Sequence, residues 1–209
     1  MSILKKLAHS LGRRDDVPNQ ELAKELAATR NEAEIREIVE GLKSQDRNIQ
    51  SDCIKVVYEI GYIAPDLIAE YVDEFLHLLL NRNNRLVWGS MIALATIAEI
   101  KAQEIYEQRD DILQAIEKGS VITIDNGIKA LAKVASKKSD YRIELFPYLL
   151  DHLASCRPKD VPQRAEKIVV AIDANNKQDF INVVENRITY MKPSQVKRLQ
   201  KVIRDAEKQ

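Results

Sequence analysis

The stretch DCIKVVYEIG, residues 52–61, recurs further along the chain as an apolar pattern with constant spacing. The matching stretches are GSMIALATIA from residue 89, NGIKALAKVA from 126 and QRAEKIVVAI from 163, so each begins 37 residues after the last. Their shared apolar columns are Ile54, Met91, Ile128 and Ala165; Val57, Leu94, Leu131 and Ile168; and Ile60, Ile97, Val134 and Ala171. Because these columns lie three residues apart, they predict one apolar stripe along a helix.

A second helical pattern accompanies the first and keeps the same period. Its columns are Ile38, Phe75, Ile112 and Leu149; Val39, Leu76, Leu113 and Leu150; and Leu42, Leu79, Ile116 and Leu153. Offsets of one and four residues describe an apolar helix face. Asp46, Asn83 and Ser120 also lie 37 residues apart, directly before the first helix of successive units. All three residue types cap helix N-termini, so the sequence predicts a helix pair as the repeating unit.

Stacking of these pairs is required, because one pair cannot bury its apolar stripes alone. We therefore predict an all-α fold, a right-handed α-solenoid of about five stacked antiparallel helix pairs. A single repeat domain is expected over residues 1–209. Its predicted parts are a basic amphipathic segment (1–16), an irregular first unit (17–45), three regular units (46–157), and a last unit with a basic C-terminal helix (158–209).

The helix-pair unit, its near-constant length and the cap before each first helix resemble HEAT or armadillo-like repeats over roughly residues 20–190. The resemblance implies a concave side lined by the second helix of each unit. The function it implies is a non-catalytic protein-binding scaffold or regulatory adaptor that uses this side. Other HEAT-like proteins leave two alternatives open, a DNA-binding or DNA-repair protein of the alkylpurine glycosylase type and a bilin-lyase-like enzyme.

Acidic side chains dominate the outward positions of the predicted second helices. A row of carboxylates attracts Lys/Arg-rich segments and repels phosphate, so a protein partner with a basic segment is one expectation. The alternative is an ordinary solvated helix face, on which glutamate is common. The candidate protein-binding residues are Glu37, Glu40, Glu70, Asp73, Glu74, His77, Glu107, Asp110, Asp111 and Asp151.

Positive charge is concentrated in other parts of the sequence. One cluster is a possible anion contact, but it has no interleaved aromatic residues and so does not indicate base stacking. The anion-contact residues are Lys129, Lys133, Lys137, Lys138 and Arg142.

The C-terminal helix is also basic. It is interpreted as a solvated cap or as a surface for an acidic partner, a membrane or nucleic acid.

Two apolar features have alternative interpretations. The N-terminal residues Ile3, Leu4, Leu7 and Leu11 form an amphipathic segment that either packs onto the first unit or docks on a lipid interface. Trp88, close to the polar loop 81–85, is either a core residue or a binding hot spot.

Composition narrows the remaining function classes. Lys+Arg and Asp+Glu both number 32, so nucleic acid is a possible but less favoured partner. The two cysteines lie outside any CxxC pair, which predicts neither a disulfide framework nor zinc and favours the cytoplasm. No apolar run approaches the roughly 18 residues of a membrane span. No nucleotide-binding, protease or nucleophile motif occurs, so we expect no cofactor and favour a non-enzyme, with the oligomeric state left open.

Overall fold

The computed structural model describes residues 2–189 and 191–209, and all regular secondary structure in these ranges is helical. The all-α prediction is therefore confirmed. The helices are α1 (Val17–Thr29), α2 (Glu32–Gly41), α3 (Arg47–Ile63), α4 (Val72–Leu78), α5 (Asn84–Ile97), α6 (Ala102–Glu107), α7 (Arg109–Lys118), α8 (Val121–Ala135), α9 (Ser139–Ser155), α10 (Val161–Ile168), α11 (Lys177–Ile188) and α12 (Pro193–Glu207). Short 3-10 segments lie at Ile3–Lys6, Pro65–Leu67, Ala69–Tyr71, Pro158–Asp160 and Val169–Ala171.

The predicted capping residues stand directly before α3, α5 and α8. Asp46 accepts a hydrogen bond at 2.8 Å from the amide two residues further on. Asn83 does the same at 3.1 Å, and Ser120 accepts from the amide three residues on at 3.3 Å. Each bond satisfies an amide of the first turn that has no partner inside its helix. The capping prediction is thus confirmed at all three positions.

The predicted apolar columns form the core of the protein. All twelve residues of the three first-helix columns are fully buried, from Ile54 to Ala171. The second-helix column that runs from Ile38 to Leu149 is fully buried as well. Burial of this much apolar side chain is the main stabilising contribution to the fold.

Two compact units make up the chain, Met1–Gly127 and Ile128–Gln209. In the first unit, α3 packs between α1 and α5, so these three helices form one layer. Helix α2 packs on α3, and α4 packs on α5, which places α2 and α4 in a second layer. In the second unit, α10 and α11 each pack against both α9 and α12.

The N-terminal segment packs onto the first unit, as one of its two interpretations predicted. Ile3, Leu7 and Ala8 are buried, whereas Leu11 is exposed. The amide of Ala8 donates to Asn19 Oδ1 at 2.9 Å, which adds a polar contact to the apolar ones. The segment is therefore part of the core of this unit.

Several finer predictions about architecture go beyond these observations. The predicted irregular first unit contains the helix pair α1 and α2. Glu70 and Glu107, expected on second helices, lie instead in the 3-10 segment Ala69–Tyr71 and at the end of the short α6. The right-handed winding, the count of five units, the 37-residue period and the single-domain boundaries stay predictions.

Candidate protein-binding face

Two adjoining depressions lie along the second layer of the first unit. The first has a volume of about 420 Å³ and the second about 330 Å³, and Asn81 lines both. The first is lined by Val39, Leu42, Lys43, Asp73, Glu74, His77, Leu78 and Asn81. The second reaches from the end of α4 to α7, where its lining includes Asp111, Gln114, Ala115 and Lys118. Apolar and acidic side chains thus share one continuous surface, with the basic residues Lys43, Arg82 and Lys118 also along it.

Four predicted carboxylates, Asp73, Glu74, Asp110 and Asp111, define what we call the acidic face. Asp73 and Asp110 are exposed, and Glu74 and Asp111 are half-buried. They lie in the first turns of α4 and α7, where a negative charge is stabilised by the positive end of the helix dipole. In the part of the chain that the structure describes, no ion pair involves any of the four. Their charge is therefore available to a ligand.

The remaining predicted protein-binding residues have different surroundings. Glu37 holds the N-terminal segment, because its carboxylate accepts from Ser2 Oγ at 2.5 Å and from the amide of Ile3 at 3.3 Å. Glu107 accepts from Gln103 Nε2 at 3.0 Å. His77 lines the first depression, and Glu40, Glu70 and Asp151 are exposed. Asp151 belongs to α9 of the second unit, so we assign the acidic face to the first unit alone.

The five residues of the predicted anion contact lie on α8, on α9 and in the link between them. Arg142 is already engaged, since Nη1 pairs with Asp173 Oδ2 at 2.8 Å and Nε donates to the carbonyl of Ala171 at 3.0 Å. Lys138 donates to the hydroxyl of Tyr141 at 3.1 Å. These contacts give Arg142 and Lys138 structural partners within the second unit. An anion contact through the whole set stays a prediction.

An aromatic patch on α3 and α5 joins Trp88, which the sequence singled out, to two tyrosines that were not predicted to contact it. The Trp88 ring lies 5.9 Å from the ring of Tyr58, which lies 6.1 Å from that of Tyr62. The guanidinium of Arg85 sits 5.6 Å from the Trp88 ring centre. Trp88 is half-buried and Tyr62 is exposed, so Trp88 combines a packing contact with a surface position. The spacing of Tyr58 and Tyr62, one helical turn apart, was the available signal.

The described residues supply no group of three or more His, Cys, Asp or Glu side chains that could hold a metal ion. Cys53 is a fully buried core residue. Burial raises the pKa of its thiol to about 12. No helix in the described part of the chain is long and apolar enough to cross a lipid bilayer.

Comparison with known proteins identifies the fold. No protein-family model and no curated protein sequence matches the chain. An engineered protein solved by structural genomics superposes with a TM-score of 0.69 at 16% identity, covering 100% of this chain and 98% of that one. A designed armadillo repeat protein gives 0.63 at 14% identity, with 97% and 99% covered. A second designed armadillo repeat protein, in complex with the peptide (KR)4, gives 0.66 at 15% identity, with 98% and 100% covered. The chain therefore has an armadillo-like helical repeat fold.

Proposed function

We propose that this protein is a non-catalytic protein-binding scaffold or regulatory adaptor whose acidic face receives a Lys/Arg-rich segment of its partner. The observation that carries the proposal is the pair of adjoining depressions that join unpaired carboxylates to apolar side chains. The cytoplasmic location expected from the cysteine content remains part of the proposal.

The chemistry of lysine and arginine matches both parts of this surface. Their aliphatic stems cover apolar side chains such as Val39 and Leu78, while their charged ends remain near carboxylates and water. Opposite charges across an interface also accelerate association and disfavour wrong partners. The four carboxylates of the acidic face would repel the phosphates of a phosphate-rich ligand.

A solved protein of the same fold gives independent support for this class of ligand. The structure of the second designed armadillo repeat protein was solved in complex with (KR)4, a peptide of alternating lysine and arginine. An armadillo-like fold is therefore compatible with binding a basic peptide.

Binding of fluorescent (KR)4 at low ionic strength, followed by fluorescence anisotropy, tests the proposal. The variant Asp73→Asn/Glu74→Gln/Asp110→Asn/Asp111→Asn should bind at least about fourfold more weakly, because each of four exposed ion pairs contributes roughly 0.2–1 kcal/mol. Amides in place of the carboxylates preserve side-chain shape and hydrogen-bonding capacity. Far-UV circular dichroism checks that helicity is unchanged.

A control variant separates the acidic face from the net charge of the chain. It neutralises four exposed acids elsewhere with glutamine, at Glu21, Glu32, Glu185 and Glu207, and should retain most of the affinity. Equal weakening in both variants would show that the peptide senses only overall charge. Tight and steeply salt-dependent binding of duplex DNA, with no binding of (KR)4, would instead support the DNA-binding alternative.

A further inference from the structure

The two compact units carry opposite net charges. Residues 1–127 contain 15 Lys/Arg and 22 Asp/Glu, a formal charge of −7. Residues 128–209 contain 17 Lys/Arg and 10 Asp/Glu, a formal charge of +7. The neutral total thus conceals a strong segregation of charge along the chain.

Helix α12 presents the most regular part of the positive charge. Lys197, Lys201 and Arg204 follow one another at intervals of four and three residues, so they lie on one helix face. All three are exposed, and within the described residues no salt bridge involves any of them. We call these three residues the cationic row.

The other side of α12 fixes the helix within the second unit. Leu199, Val202 and Ala206 are buried, and the neighbouring Arg198 holds Glu166 through two hydrogen bonds of 2.9 and 2.6 Å. Arg198 therefore has a structural partner, in contrast to the cationic row. A helix held in this way presents its cations without the entropic penalty of ordering a flexible tail.

We propose that the cationic row of one copy of this protein docks on the acidic face of a second copy. The inference rests on the proposed function, since α12 is itself a Lys/Arg-rich segment of the kind that the acidic face would receive. The row extends about 10 Å along its helix axis, given a rise of about 1.5 Å per residue. Each copy carries both the acidic face and the cationic row, whose charges are unpaired. The two surfaces are therefore always present at equal concentration.

A second copy fits the cationic row better than a nucleic acid does. Helix α12 contains no aromatic residue on which a base could stack. The units also carry formal charges of −7 and +7, so the acidic unit of one copy attracts the basic unit of another. Reciprocal pairing of two copies would end at a dimer, and one-way pairing would continue to larger assemblies.

Sedimentation velocity over a range of protein concentrations tests this inference. At low salt the average mass should rise above the 23.9 kDa of one chain, and it should return to that value as salt is added. The variant Lys197→Glu/Lys201→Glu/Arg204→Glu and the variant Asp73→Lys/Asp110→Lys/Asp111→Lys should each associate at least about tenfold more weakly. An equimolar mixture of the two should associate again, because the reversed row then meets a reversed face.

The variants are first checked for native helicity by circular dichroism. If the lysine variant does not fold, the fourfold amide variant of the acidic face replaces it and should also lower self-association. A wild-type protein that stays monomeric while it binds (KR)4 overturns this inference alone. Failure of the wild-type protein to bind (KR)4 overturns the proposed function too. Recruitment of duplex DNA or anionic vesicles by α12 without self-association also overturns the inference.

Discussion

At Gly89, helix α5 comes unusually close to α3. A Cβ atom added at this position would lie 2.5 Å from Cγ1 of Ile54 and 3.3 Å from its Cγ2. Ile54 is fully buried, so its side chain has little room to move away. A glycine inside a helix costs about 1 kcal/mol relative to alanine, and the close approach explains why it is present here.

We predict that Gly89→Ala lowers the free energy of unfolding by about 1–3 kcal/mol, because overpacking outweighs the better helix propensity of alanine. Urea unfolding followed by circular dichroism measures the change. Ile54→Ala removes both Cγ atoms and should cost about 2–5 kcal/mol by itself. In that background Gly89→Ala should cost nothing more, and additive effects would show that the contact is not the cause.

Contacts between distant residues mark the limit of sequence-based prediction at the residue scale. The acidic residues of the second helices followed from a local period, but the engagement of Glu37 by Ser2 joins residues 35 positions apart. The pairing of Arg142 with Asp173 likewise depends on how α9 meets the chain after α10. Periodicity shows on which side of a helix a residue lies. It does not show which distant residue forms a hydrogen bond or ion pair with that side chain.

The first helices of the regular units, α3, α5 and α8, were predictable, because each carries the repeated apolar stripe and a capping residue. The first-helix columns predicted full burial of twelve residues, and the structure confirms it. Helix α6 has six residues, too few to show a helical period, and the two 3-10 segments before α4 have three each. Short elements of this kind depend on the packing around them and leave little signal in the sequence.

The capping bonds lead to a prediction at the scale of single helices. Asp46→Ala, Asn83→Ala and Ser120→Ala should each destabilise the protein by about 1 kcal/mol, because each leaves a first-turn amide without its partner. Thermal or urea unfolding provides the measurement. Asp46→Asn is the matched control, since its amide oxygen can accept the same bond and should preserve stability near neutral pH.

The Asp46 cap also predicts a pH dependence. The hydrogen bond from the Asn48 amide lowers the pKa of the Asp46 carboxyl below its usual value of 3.8. The carboxylate therefore contributes stability above that value, and the contribution is lost as the pH falls through the lowered pKa. In Asp46→Asn this part of the acid destabilisation should be missing. An identical pH profile for both proteins would contradict the assignment.

At the scale of the whole molecule, the division into two compact units predicts how far a destabilising substitution lowers stability along the chain. Residues in helical repeat proteins contact mainly their own and neighbouring repeats, so stability is approximately a sum of local terms. A core cavity should then weaken the unit that contains it more than the other. Leu94 in α5 and Ile168 in α10 are suitable sites, because both are fully buried and belong to the same apolar column.

We predict that Leu94→Ala accelerates amide hydrogen exchange mainly in α3, α4 and α5, and that Ile168→Ala does so mainly in α10, α11 and α12. Each substitution leaves a cavity that lowers stability by about 2–5 kcal/mol. Local opening then becomes more frequent, so the surrounding amides exchange faster. Hydrogen exchange with mass spectrometry resolves the two patterns. Ile143→Ala, at a side chain 72% exposed, is the control and should alter neither. Equal acceleration along the whole chain in both core variants would show instead that the two units open together.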